Sequence, residues 1–168
     1  VKTLTKALAI ATANQNDTIV MFAEGNSAAL TTDYQSVALE WNKDGVHLIG
    51  ANAGQRFSHR SRIAALSSFN DATGIINVSA NGCLFANIEM FLGVAGTSPT
   101  TCLKLTGMRN KFYNCHIAGI GNDANDITDA SSIWFATGAH ENYFKDCVIR
   151  VDTIGRGTGS RVSEIRFT

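Results

Sequence analysis

The stretch "NKFYNCHIAGIG" (110–121) takes on meaning when "NYFKDCVIRVDTIG" (142–155) is set beneath it. Each reads Asn, any residue, Phe, any residue, Asn or Asp, Cys, any residue, Ile. A third copy lies upstream, where Phe85 is followed by Asn87, Ile88 and Met90 as Phe112 is by Asn114, Cys115 and Ile117, and Phe144 by Asp146, Cys147 and Ile149. The steps between the aromatics are 27 and 32 residues. A second matched segment precedes each copy: Ile76 and Val78, Leu103 and Leu105, and Trp134 and Ala136, followed by Ser79, Thr106 or Thr137. It ends seven, seven and eight residues ahead of the aromatic.

Two short apolar segments therefore recur in a fixed order, and the connection after Met90, Ile117 and Ile149 absorbs the variation in length. Antiparallel hairpins have no reason to repeat in this way. A coil of parallel strands does, because each turn is one repeat and equivalent residues stack at the strand spacing of about 4.8 Å. On this reading Cys115 and Cys147 share one inward position, which Ile88 fills in the preceding turn.

Working outward, Leu4, Leu8 and Ala11 fall at helical spacing and Asn14, Asn16 and Asp17 supply turn chemistry, which predicts a helix over residues 2–14. "DTIVMFAEG" then reads as a strand closed by Gly25. Beyond it the apolar runs are short and separated by Gly, Asn, Asp, Ser and Thr, so the chain is all-β after its first helix. "SRVSEIRFT" ends the sequence with a strand whose Ile165 and Phe167 are matched to Trp134 and Ala136. The expected organisation is one domain over 1–168, with a capping helix over 1–16 and β-helical turns over 17–168. Because the last repeat lacks its aromatic, the chain is expected to be part of a longer one, or to be covered there by another subunit.

The 168 residues suffice for a sizeable core without staples. Fourteen basic residues balance fourteen acidic ones, which leaves no global field to draw the protein to nucleic acid or to an anionic membrane. No apolar run has membrane-spanning length. The four cysteines form no CxxC pair and lack metal-ligand spacing with His, so they read as free, buried thiols of a protein assembled in a reducing compartment.

The residues resemble the right-handed parallel β-helix of the pectin-lyase-like proteins. The resemblance rests on "TLTKALAIATANQ" as capping helix, "DTIVMFAEGN" as first strand, "KDGVHLIGANAG" as a further turn, and the three aligned repeats. It implies an aromatic stack of Phe85, Phe112 and Phe144, an aliphatic stack of Met90, Ile117 and Ile149, and an asparagine ladder of Asn87, Asn114 and Asp146. A carboxylate at Asp146 departs from that ladder, since it only accepts hydrogen bonds. "DGVHLIGANAG", "LFANIEMFLG", "NKFYNCHIAGIG" and "ENYFKDCVIRVDTIGRG" further resemble β-helix proteins of tailed-phage virions. That resemblance implies a non-enzymatic structural protein, decorating a capsid or associated with a tail and assembled in the host cytoplasm. Its partners would be other virion proteins or copies of itself, with no cofactor.

Lyases and hydrolases of this fold, as the resemblance implies, carry clustered carboxylates on adjacent turns. The residues expected to face outward beside the ladder are Ala86, Glu89, Tyr113, His116, Lys145 and Val148, with no two carboxylates stacked. No catalytic residue is therefore assigned. The alternative is a carbohydrate-active or glycan-binding β-helix: a depolymerase spike, a lyase or an adhesin. In the loop "GNDANDITDASS", Asp123, Asn125, Asp126 and Asp129 are oxygen donors of the kind calcium takes, but the sixth-position Gly and closing Glu of an EF-hand loop are missing. Arg56, Arg60 and Arg62 with His59 form a basic cluster, read as a solvated turn. Trp41 and Trp134 are read as packing residues rather than sugar platforms.

Overall fold

In the computed structural model of this chain, residues 1–22, 32–52, 61–94, 100–122, 127–150 and 163–168 are described. The chain opens with helix α1 (Leu4–Ile10), whose Thr3 cap is extended and accepts the Lys6 amide on its hydroxyl at 3.2 Å. Leu4, Ala7 and Leu8 bury one face of it. Lys43 Nζ donates to the carbonyls of Ala9 (3.0 Å) and Ala11 (2.6 Å), groups that a helix end leaves without intrahelical partners. The helix is shorter than the 2–14 the periodicity predicts. Ala11 turns extended, Asn14 and Asn16 adopt left-handed backbone (φ 62° and 57°), and the Thr12 amide closes the turn on the Asp17 carboxylate at 2.7 Å.

From there the chain makes repeated passages through three sheets. The first passage is β1 (Thr18–Met21), β2 (Thr32–Gln35) and β3 (Leu39–Trp41); the second is β4 (His47–Gly50), β5 (Arg62–Ala65) and β6 (Ile76–Val78). Then follow β7 (Leu84–Ala86), β8 (Glu89–Leu92) and β9 (Thr101–Leu105), and β10 (Lys111–Tyr113), β11 (His116–Ile120) and β12 (Ser131–Phe135). The last is β13 (Tyr143–Lys145), β14 (Val148–Ile149) and β15 (Ser163–Phe167). Each sheet has five strands, one from each passage: β1-β4-β7-β10-β13, β2-β5-β8-β11-β14 and β3-β6-β9-β12-β15. Every pairing is parallel. The protein is an all-β parallel solenoid with one short helix at its N-terminus.

The register sets the core columns. In the first sheet Ile19, Leu48, Phe85, Phe112 and Phe144 lie over one another. Phe85 and Phe112 stack at 4.8 Å between ring centroids, and Phe112 and Phe144 at 4.5 Å, each pair within 6° of coplanar. The second sheet aligns Ile63, Met90, Ile117 and Ile149. The third aligns Leu39, Ile76, Leu103, Ile133 and Ile165, and beside them Trp41, Val78, Leu105, Phe135 and Phe167. Apart from Ile165 and Phe167, these columns and the helix face form one apolar cluster.

The third sheet corrects the sequence alignment by one residue. Ile133 and Phe135, not Trp134 and Ala136, pair with Leu103 and Leu105, and Ile165 and Phe167 follow in that register. Ala136 is the corner residue equivalent to Thr106, its amide bonded to Leu105 O. The interval to Phe144 is thus nine residues, and the two extra residues enter a turn containing Gly138 at φ 101°. A large aromatic drew Trp134 into the inward column, whereas it lies on the outer face. Strands β2 and β3 were not singled out as part of a turn, although Leu39 and Trp41 alternate inward as Ile76 and Val78 do.

Candidate functional site

In the later passages two corners of the solenoid carry side-chain ladders. At the corner between the first and second sheets, Asn87, Asn114 and Asp146 all adopt left-handed backbone (φ 58°, 50° and 54°). Asn114 Nδ2 donates to Asn87 Oδ1 at 2.7 Å, and Asn87 Nδ2 donates to Gly50 O at 3.4 Å. Asp146 has no amide hydrogen to pass on to Asn114 in this direction, so the ladder changes character at that step. Ile88, Cys115 and Cys147 are the next residues, with Ile88 and Cys115 wholly buried and Cys147 half-buried.

The opposite corner carries a second ladder that sequence reading missed. Asn110 Oδ1 accepts the Cys83 amide (2.9 Å), its Nδ2 donates to Ala80 O (2.9 Å), and its own amide donates to Asn142 Oδ1 (3.0 Å). Asn142 Nδ2 in turn donates to Gly107 O at 3.0 Å. The signal was present, because these are the first Asn of the "NxF" pattern in both quoted stretches. The left-handed residues here are Gly45, Gly82, Arg109 and Glu141, and the Arg109 guanidinium donates to the Glu141 carboxylate at 2.6 Å.

On the outer face of the second sheet Arg62, Glu89, His116 and Val148 share one column. Glu89, on the outer side of its strand, is nonetheless only 4% accessible, and Ala86 is buried as well. Alternation puts Glu89 on the outer side of its strand but says nothing about what covers it there. His116 Nδ1 lies 3.7 Å from Glu89 Oε1, and its Nε2 is 3.3 Å from Arg150 O. Close by, Glu164 receives the Ser132 hydroxyl at 2.6 Å and lies 3.4 Å from Arg150 Nε, tying β12 to the end of β14. Gly119 sits at a bulge in β11 with φ 72°, and a Cβ there would strike the Ser132 hydroxyl.

The third sheet's outer column runs Glu40, Asn77, Lys104, Trp134, Arg166. Asn77 Nδ2 donates to Glu40 Oε1 at 2.6 Å. Trp134 is sandwiched: Lys104 Nζ stands 4.4 Å from the ring centroid, and the Arg166 guanidinium 3.9 Å from it. With both cations on the ring, Trp134 offers no face for a sugar. Trp41 is wholly buried, its indole N–H donating to Val46 O at 3.1 Å.

The calcium candidates divide. Asp123, Asn125 and Asp126 lie outside the described residues; Asp129 has left-handed backbone (φ 67°), and its carbonyl and carboxylate both engage Arg166, at 2.8 and 3.9 Å. Among the described residues no group of three or more His, Cys, Asp and Glu converges as metal ligands would. Arg56, His59 and Arg60 also lie outside the described residues, while Arg62 rests 6.0 Å from the Phe91 ring centroid.

Among the described residues, exposed aromatic side chains gather on the first sheet and on the final passage. The first sheet presents Lys111 beside Tyr143 and Tyr113 beside Lys145, with the tyrosines 46% and 54% exposed at positions 113 and 143. The final passage presents Ile165 and, 74% exposed, Phe167. The Phe167 ring stacks on Phe135 at 4.9 Å and borders an open depression of about 450 Å³ lined also by Gly138, His140 and Thr168. No described helix is long and apolar enough to cross a membrane. No family profile, curated protein or solved structure matches the chain.

Proposed function

We propose that this chain is a non-enzymatic structural protein acting through protein–protein contacts, and that its setting is the virion of a tailed phage, on the capsid surface or in the tail. The observation that carries the reading is the repeating parallel coil itself, whose outer charged groups are engaged with one another, Glu89 with His116, Arg150 with Glu164, and Lys104 and Arg166 with Trp134, as suits a rigid scaffold. The virion setting rests on the sequence resemblance. Within this reading the solenoid is right-handed, α1 caps its first passage, and the partner is a copy of the chain or another virion protein.

The test is the mass and composition of the native particle by light scattering and mass spectrometry. Stoichiometric copies in a large assembly are the expected result. A wild-type monomer at working concentration would overturn the reading.

A glycan-binding or carbohydrate-active reading is favoured by one observation, the exposed Tyr113 and Tyr143 alternating with Lys111 and Lys145. Tyrosine faces beside ammonium groups suit an acidic sugar. Calorimetric titration with acidic oligosaccharides, followed by a screen for cleavage products, separates this reading from the first.

A further inference from the structure

The two cysteines of the repeat stand at equivalent heights in adjacent passages. Tyr113 pairs with Lys145 just before them and His116 with Val148 just after them. Their sulfurs take matching partners: Cys115 Sγ contacts Phe85 O at 3.4 Å and Tyr113 O at 3.5 Å, and Cys147 Sγ contacts Phe112 O and Lys145 O at 3.4 Å each. Parallel strands stand about 4.8 Å apart, inside the range of roughly 4.4–6.8 Å between Cα atoms that a disulfide spans. Cys83 and Cys102 belong to neither position. Cys83 precedes β7, Cys102 lies within β9, and Ile88 fills the equivalent place in the passage before.

We propose that Cys115 and Cys147 form an oxidisable dithiol that closes to a disulfide across two neighbouring passages, with a low-molecular-weight disulfide as oxidant.

The asymmetry of the pair gives each thiol its part. Cys147 is half-buried and Cys115 wholly buried. Interaction with the neighbouring Cys115 thiol lowers the Cys147 thiol to about 7, and interaction with Cys147 together with burial raises Cys115. Burial drives Cys102 up to about 12 and raises Cys83 as well, which leaves both as unreactive thiols. The Cys147 thiolate attacks one sulfur of the oxidant, the oxidant's S–S bond breaks, and a small thiolate leaves with the electron pair. Cys115 then gives its proton to that thiolate and attacks the Cys147 sulfur, expelling the second small thiolate, which takes up the proton Cys147 lost on ionising. The two cysteines lose two electrons and two protons, and the oxidant is reduced to two thiols.

The test uses the whole chain with oxidised glutathione at neutral pH, quenched by denaturation in an alkylating agent and read by intact mass and peptide mapping. The expected product carries two alkyl groups, on Cys83 and Cys102, and one crosslinked peptide pair joining Cys115 to Cys147. Cys115→Ala should instead retain glutathione on Cys147, and Cys147→Ser should be alkylated at all three remaining cysteines. Four alkylated cysteines in the wild type, a stable glutathione adduct on its Cys147, or a bridge to Cys83 or Cys102 would each overturn the proposal.

Discussion

Neighbouring residues of one strand can differ by several kcal/mol in what they contribute, and β10 shows it most directly. Phe112 is wholly buried between two stacked rings while Tyr113 is about half exposed. Phe112→Ala should destabilise by about 3–5 kcal/mol, and Tyr113→Ala by well under about 1 kcal/mol, in denaturant unfolding. Equal losses would contradict the register. His116, on the outer side of its strand, is largely covered and engaged by Glu89 and Arg150 O, so His116→Ala should destabilise by about 1–3 kcal/mol. Gly119→Ala combines a left-handed backbone with a collision at Ser132, and a loss of about 2 kcal/mol or more should appear in the same experiment. Cys147 adds a pH signature. Because the thiolate is the reactive form, its alkylation rate should rise with pH through a midpoint near 7, while Cys83 and Cys102 stay unmodified until the protein unfolds.

The elements are short, two to five residues each in the strands, and none would hold alone. Their placement comes from corners, where a side-chain amide bonds the passage before and left-handed residues turn the chain. Asn110→Ala removes two bonds made by a wholly buried amide and should destabilise by about 2–4 kcal/mol; an unchanged melting curve would deny the second ladder its role. The sequence-level reading reached the Asn87–Asn114 step because the ladder residues recur beside recognisable aromatics. It passed over Asn110 and Asn142, which stand in the same pattern, because no structural duty had been given to the first Asn. The slip at Trp134 has a different origin. Hydrophobic periodicity cannot tell a ring packed inward from one packed outward between two cations, and only pairing with Lys104 and Arg166 decides it. The burial of Glu89 is not legible for a related reason, since strand alternation fixes which side a residue faces and not how deeply that side is covered.

At the scale of the molecule the solenoid is a column built by adding like to like. Its interior is continuous from the helix face through the Phe stack to Phe135, and contacts run mainly between successive passages, so stability is distributed along the axis. The fold class was legible because a coil must repeat its cross-section, and the repeat survives in Phe, Asn and Cys. The contacting surfaces were not legible, because nothing in a strand's period marks which exposed ring meets a partner. The matched ladders also imply a unit of tolerable change in length. Removing one residue between Phe112 and Ile117 would put the amide, the thiol and the aliphatic side chain each one place out of line with both neighbours, whereas removing a complete circuit would leave every surviving layer facing a layer of its own shape. Relatives of such a chain would then differ in length by whole circuits or at the variable corner, and hardly ever in between.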